Sequence, residues 1–530
     1  MRGSDQSVIV SSGMETLLTL VEEAARSTRE GVKHFVEPAP GTLRRAISKR
    51  HHIVFGRRGS GKSSLLRKAA ADLTVDRRPI AHVNLEAFKG HSYPDVLLSI
   101  LIATLTEFKN WMDSAAIHPS TRKTFWEKLF GTTPQRPSFN RKATSDLSNT
   151  ISTHIEALNR ELHRTDEADL TVKSGSEESE KNSSSLKSKI GASAASISGE
   201  SGCEVSQKFR EEVEEKYKIS KIDFLHRRIM EFQRIFRQIA EISEGDSYLF
   251  LDDLYHIRRS DQAKVIDYFH RLAKDHNLWL KIGTIRHRTL WYAHGDPPIG
   301  MKLGDDADEI DLDLTLEKYS LAKEFLRKIL RNFATTAALM PLSSFLTDGA
   351  EDRLVLASGG VARDFLTIFR RSVDVARERK GGHRGDKVGA EDVNAAAGEY
   401  DSSKREEFKR DTLDDDDVGL QAEFQNVRNF CLDKNNTNCF LMDKDEIGDH
   451  VKLVHELVEL KFIHLVKSRV TVSGRPGKIF EAYMLDLSQY SGARKRRNVE
   501  IVEFWKPTST EALRRKSMIY PPRLKADSGG

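Results

Sequence analysis

Residues Gly56-Arg57-Arg58-Gly59-Ser60-Gly61-Lys62-Ser63 fit the spacing G-x-x-x-x-G-K-[ST], and each residue type in that pattern has work to do on a phosphate. The glycines let backbone N–H groups turn inward around phosphate oxygens, the lysine ammonium reaches the outer two phosphates, and the serine hydroxyl can ligate Mg²⁺. A helix starting at the lysine adds the positive end of its dipole. Gly56, Gly59, Ser60, Gly61, Lys62, Ser63 and Ser64 are therefore the candidate nucleotide-binding residues, with Ser63 a candidate metal ligand and ATP and Mg²⁺ the expected cofactors. Arg57 and Arg58 need not touch the nucleotide, because the loop offers backbone N–H groups there.

Three further stretches carry groups suited to the same chemistry. Tyr248-Leu249-Phe250-Leu251 is an apolar run ending in Asp252 and Asp253. An acid at the carboxyl end of a buried strand can hold Mg²⁺, and a second beside it can orient or deprotonate an attacking water. Asp252 suits the first role, as a metal and cofactor ligand, and Asp253 the second, although an aspartate after a strand also caps helices. In Lys281-Ile282-Gly283-Thr284-Ile285-Arg286, Thr284 and Arg286 stand at a strand tip where they could report on a γ-phosphate; a solvated turn is the plainer reading. In Ser358-Gly359-Gly360-Val361-Ala362-Arg363, a glycine pair opens a helix whose Arg363 could reach back toward phosphates, or could be a surface arginine at an ordinary helix start.

The elements that must position these groups follow from periodicity. Residues 52–55 read as a strand running into the glycine loop and 63–73 as the helix after it. Strands are expected over 79–85, 248–251, 278–284 and 309–314, with helices over 93–108, 222–242 and around Val265, Ile266, Phe269 and Leu272. Five strands with helices between them predict an α/β fold built on a parallel five-stranded sheet. The expected organisation is an N-terminal helical segment (1–40), a P-loop ATPase core (41–315), an all-helical lid (316–400), an acidic linker (401–420), a winged-helix-like domain (421–491) and a basic tail (492–530). The core carries a large insertion over about 110–220; within it, 11 of the 30 residues from 174 to 203 are serine, a composition that cannot supply a packed core.

In the winged-helix-like stretch a helix with Val451, Val454, Leu457, Val458 and Leu460 on one face precedes two strands, 462–468 and 479–487, around a turn rich in glycine and proline. Arg475 and Lys478 in that turn, with Arg494, Lys495, Arg496 and Arg497 beyond, are candidate phosphate partners for DNA. His450, His455 and His464 have no other ligand types clustered with them, which favours surface or core roles over a metal. The net charge of +5 is mild, but the tail from 492 onward holds ten Lys/Arg against four acids, fitting nucleic acid, an acidic partner surface or a solvated end. Three scattered cysteines and no run of about 18 apolar residues point to a reducing, cytoplasmic setting without membrane contact.

Taken together, the GRRGSGKS loop, the strand ending in LFLDD, the KIGTIR strand and the SGGVARDFL stretch resemble bacterial ATPases at the border of the AAA+ proteins, including the origin-recognition type, and the STAND signalling ATPases. Thr284-Ile285-Arg286 is similar to the T-x-R of STAND proteins, and Arg363 to the lid arginine of AAA+ proteins. The resemblance implies a nucleotide-controlled ATPase, regulatory or defence-type, that couples its Mg-ATP state to self-association or to an effector protein. It assigns Asp253, Arg286 and Arg363 to catalysis. The resemblance also implies slow turnover, because AAA+ motors usually carry Asp-Glu where this chain has Asp252-Asp253. Two other readings stay open: a DNA-binding initiator or loader using the winged helix and tail, and a non-hydrolysing nucleotide-binding scaffold.

Overall fold

The structure, a computed structural model, describes residues 7–24, 33–75, 78–117, 139–164, 218–378, 386–411, 417–491 and 499–521. The serine-rich stretch 174–203 and the basic cluster Arg494–Arg497 lie outside the described residues. The chain forms two compact units: one of residues 1–43, 55–68 and 311–530, the other of 44–54 and 69–310.

The second unit is built on a five-stranded sheet of β1 (His52–Phe55), β2 (Ile80–Asn84), β3 (Ser247–Asp252), β4 (Leu278–Thr284) and β5 (Asp308–Asp311), in the order β2-β3-β4-β1-β5. β2 and β4 both run parallel to β3, with Asn84 opposite Asp252 and Ile282 opposite Leu251. All six residues of β3 are buried, as are all four of β1. Near-continuous apolar runs of this kind are what a parallel sheet with covered faces requires. Among the covering helices, α5 (Ile229–Ser243) buries Phe232, Ile235, Phe236 and Ile239, and α6 (Arg259–Ala273) buries Val265, Ile266, Phe269 and Leu272. Each such side chain contributes about 1.5–3 kcal/mol.

The first part of the insertion is helical. α3 (Asp95–Ile117) extends well beyond residue 108 and packs on α4 (Arg141–Leu162), which is capped by the Asn140 side chain accepting from Lys142 and Ala143 N–H. Ser148 donates to Asp113 at 2.6 Å, and buried Lys221 reaches Asp95 at 2.8 Å and the Leu162 carbonyl at 3.0 Å.

The first unit holds the glycine loop, the start of α2 (Lys62–Val75), an N-terminal helix α1 (Ser12–Ala24) and a helical group of α7 (Tyr319–Thr336), α8 (Asp348–Ser358), α9 (Ala362–Glu378) and α10 (Ala390–Asp411). α1 packs on α7 and α9, adding Met14, Leu17, Leu18 and Val21 to one apolar core that also includes Phe365, Phe369, Val454 and Tyr483. Beyond α11 (Asp417–Asn429) come β6 (Cys439–Asp443), α12 (Asp449–Glu459), β7 (Ile463–Val470) and β8 (Phe480–Leu485). β8 is central and antiparallel to both neighbours. β6 is a third strand beyond the two the sequence suggests.

The end of the chain folds back onto this small sheet rather than extending away over 499–521. Tyr520 N–H donates to the Leu441 carbonyl at 2.7 Å and Tyr520 Oη to Glu423 at 2.8 Å, while Arg515 pairs with Glu500 at 2.6 Å. Among the described residues no helix is long and apolar enough to cross a membrane.

Candidate functional site

The glycine loop lies between the buried end of β1 and the first turn of α2. Gly59 and Gly61 have φ of +89° and +99°, in the region that side chains disfavour and glycine enters without cost. A Cβ at Gly59 would stand 2.8 Å from Cβ of Arg363, whose backbone N–H donates to the Gly59 carbonyl at 3.2 Å. Two expected site residues 304 positions apart are thus in direct backbone contact.

Lys62 is buried, and its ammonium donates to the carbonyls of Gly56 at 2.8 Å and Arg57 at 3.2 Å. Ser60 Oγ is also buried, with no hydrogen-bond partner among the described residues. A buried hydroxyl without a partner is costly unless something else supplies one. Its place inside a loop of positive-φ glycines at the start of a helix suits a phosphate group. Ser63 and Ser64 are half-buried in the first turn of α2.

Arg57, which was not expected to need contact with nucleotide, is held by the protein itself. It is 4% exposed. Its backbone N–H donates to both carboxylate oxygens of Asp313, at 2.9 and 3.1 Å, and its Nε to Asp313 Oδ1 at 3.3 Å. Nη2 donates to the carbonyls of Gly359, at 3.0 Å, and Leu314, at 3.5 Å. The sequence offered only a hint of this, an aspartate two residues past the end of β5.

The remaining site residues belong to the other unit. Asp252 ends β3 and is buried; Asp253, immediately after it, has φ of +60° and is half-buried. Across the sheet Asn84 accepts from the Glu86 N–H at 3.0 Å. Glu86, Asp253 and His256 each offer one ligand atom, all within 4.8 Å of one another, the one such group of metal-type donors among the described residues. Thr284 is inaccessible. Thr289 Oγ1 donates to the Ile285 carbonyl at 2.7 Å, so the 2.5 Å contact between the two threonine hydroxyls has Thr284 as its donor. Arg286 pairs with Glu309 at 3.0 Å, with both side chains substantially exposed.

Among the expected phosphate contacts of the C-terminal part, Arg475 is exposed, whereas Lys478 is ion-paired with Asp443. The three histidines each face a carboxylate: His450 with Glu446 at 2.9 Å, His455 with Glu481 at 3.8 Å, and His464 with Asp486 at 2.9 Å.

No family model matches the chain, and no curated protein matches it. Among solved structures it is similar to the ORC1 protein of Aeropyrum pernix, solved in complex with DNA, at 14% identity and a TM-score of 0.31, over 91% of this chain and 90% of that one. At that TM-score the likeness carries no argument about function; the α/β description rests on the five-stranded parallel sheet and on the glycine loop that follows β1.

Proposed function

We propose that the chain binds ATP with Mg²⁺ and hydrolyses it slowly, as a regulatory AAA+/STAND-type switch that couples its nucleotide state to self-association or partner binding. The observation that carries this reading is the glycine loop: two positive-φ glycines, a buried lysine and a buried serine hydroxyl with no hydrogen-bond partner among the described residues, all at the start of α2.

In this reading Gly56, Gly59, Ser60, Gly61, Lys62, Ser63 and Ser64 hold the phosphates, and Ser63 and Asp252 are each candidate metal ligands. Mg²⁺, when bound, supplies charge neutralisation across the outer phosphates. Asp253 orients water. Its φ of +60° is a left-handed conformation that aspartate adopts more readily than most residues. Arg363 acts from the start of α9, beside the loop. Thr284 supports its strand end from within, its hydroxyl proton already given to Thr289, and Arg286 carries the exposed charge at that strand tip. We read α7–α10 as a lid and residues 421–491 as a winged-helix-like domain; the succession α11, β6, α12, β7, β8 supports the latter.

The test is equilibrium binding of a fluorescent ATP analogue with Mg²⁺, together with steady-state turnover. Lys62→Ala is expected to abolish binding, and full retention would remove the glycine loop from the assignment. Asp253→Asn is expected to keep binding and lose turnover by about 10²-fold or more; unchanged turnover would exclude Asp253 from the water-orienting role. A duplex DNA titration of the same turnover separates the switch from the initiator reading, since stimulation that falls steeply with salt belongs to the latter.

A further inference from the structure

A chain of contacts, polar except where the His464 ring packs on Gly359, runs from the glycine loop into the C-terminal sheet within the first unit. It starts at Arg57, whose guanidinium holds the Gly359 carbonyl and Asp313. Gly359 ends α8 with φ of +57°, and on its far side a Cβ would stand 2.2 Å from Cε1 of His464, so the imidazole packs directly on the glycine. His464 Nδ1 has no hydrogen-bond partner among the described residues, while Nε2 is 2.9 Å from Asp486. Lys404 of α10 donates to the same carboxylate at 2.8 Å. A second limb begins with the bond from Arg363 N–H to Gly59. The next residue, Asp364, accepts from Lys461 at 2.9 and 3.1 Å and from Tyr400 at 3.1 Å.

Asp364, Asp486 and His464 are at most 1% exposed, and the Lys404 and Lys461 side chains 6% and 11%. Charges buried to this degree are tolerable only while their partners stay in place, so a shift of β7 or of the segment before it would strand several of them at once. Packed, bistable contacts of this kind pass a displacement on as a whole rather than absorbing it. The route ends at Arg57, whose backbone N–H and guanidinium tie the phosphate loop to Asp313 and Gly359.

We propose that Arg57 is a positioning residue that sets the shape of the glycine loop, and that seating of the C-terminal domain through Gly359, His464 and Asp486 is thereby coupled to nucleotide affinity. The coupling rests on the nucleotide-binding reading above. It is reciprocal: what loosens the C-terminal domain weakens nucleotide, and nucleotide tightens the domain.

The experiment measures affinity for a fluorescent ATP analogue, kcat and KM, and hydrogen exchange in β7 and at the α8–α9 turn with and without nucleotide. In the wild type, nucleotide is expected to slow exchange in β7. Arg57→Ala is expected to weaken binding about tenfold and abolish that change, and Arg57→Lys, which keeps the charge but not the fork of donors, to recover part of both. Asp486→Asn, at the far end of the path, is expected to weaken binding about fivefold with kcat little altered. Should that variant lose its cooperative melt, His464→Gln carries the same measurement. If Lys62→Ala loses binding while Arg57→Ala and the far-end variant bind like the wild type, the coupling is overturned and the nucleotide reading stands. If wild type and Lys62→Ala are alike in binding nothing, both fall.

Discussion

Ser60 separates binding from stability at the level of one oxygen. Its hydroxyl is buried and makes no hydrogen bond among the described residues, so in nucleotide-free protein it carries a desolvation cost with no return. Ser60→Ala is expected to raise the stability of the nucleotide-free protein by roughly 1 kcal/mol and to reduce the extra stabilisation that ATP confers. Thermal melts of both proteins, with and without Mg-ATP, check this; a fall in stability without nucleotide would show that the hydroxyl is already satisfied. The glycine loop itself was legible because all its groups lie within eight residues. Arg57 was not, because its partners Asp313 and Gly359 are 256 and 302 positions away, and nothing in a linear pattern ties an arginine to a carboxylate at that range. Thr284 was placed correctly at its strand end, but a hydroxyl's donor direction depends on its neighbour's other bond, which only the arrangement of Thr289 and Ile285 reveals.

Elements with strong periodicity or a long apolar run were read close to their observed bounds. The five strands of the main sheet and α2 belong to that group. α10 was expected only as the end of the all-helical lid, with its second half read as an acidic linker (401–420), because the apolar part of its buried face is Val393, Ala396 and Ala397, small side chains that raise little contrast against a charged helix. β6 was missed because Cys439-Phe440-Leu441-Met442 is too short to distinguish from a core helix turn without its pairing partner β8. The α8–α9 turn, by contrast, announced itself through two adjacent glycines, and it supplies the prediction proper to this scale. Gly359→Ala would place a methyl group in the His464 ring at a left-handed backbone position. It is expected to destabilise the first unit by about 3 kcal/mol, readable in a urea titration as a lower midpoint. Gly349→Ala is the control, since its added Cβ meets only Ala390 Cβ at an ordinary 3.8 Å. Equal midpoints for the two variants would mean that the turn does not need its glycine.

For the molecule as a whole, the buried charges set a pH dependence with a definite sign. Burial, opposed by the hydrogen bond and charge of Asp486, holds the His464 pKa below its ordinary value. For Asp486 and Asp364 burial alone would raise the carboxyl pKa, but Lys404 with His464 in one case and Lys461 with Lys404 in the other bring it below the usual range. A group whose folded pKa is depressed gives stability that is complete above its unfolded pKa and is lost as pH falls toward the folded one. The loss from His464 therefore begins below about pH 6.5, and that from the two aspartates below about pH 4. In the other unit His51 and His52, pushed down to about 3 chiefly by burial, act in the same direction as His464. Melting temperature is thus expected to fall between pH 7 and pH 5 before the carboxylates titrate. His464→Gln, neutral at every pH, is expected to flatten the part of that slope belonging to the first unit while leaving the steeper fall below pH 4. Because the His464 contact is also the joint between the helical group and the C-terminal sheet, hydrogen exchange in β7 is expected to accelerate from pH 7 to pH 5, beyond the intrinsic change of the amides, in the wild type and not in His464→Gln. Identical pH profiles for the two proteins would remove His464 from the set of groups that hold the joint together.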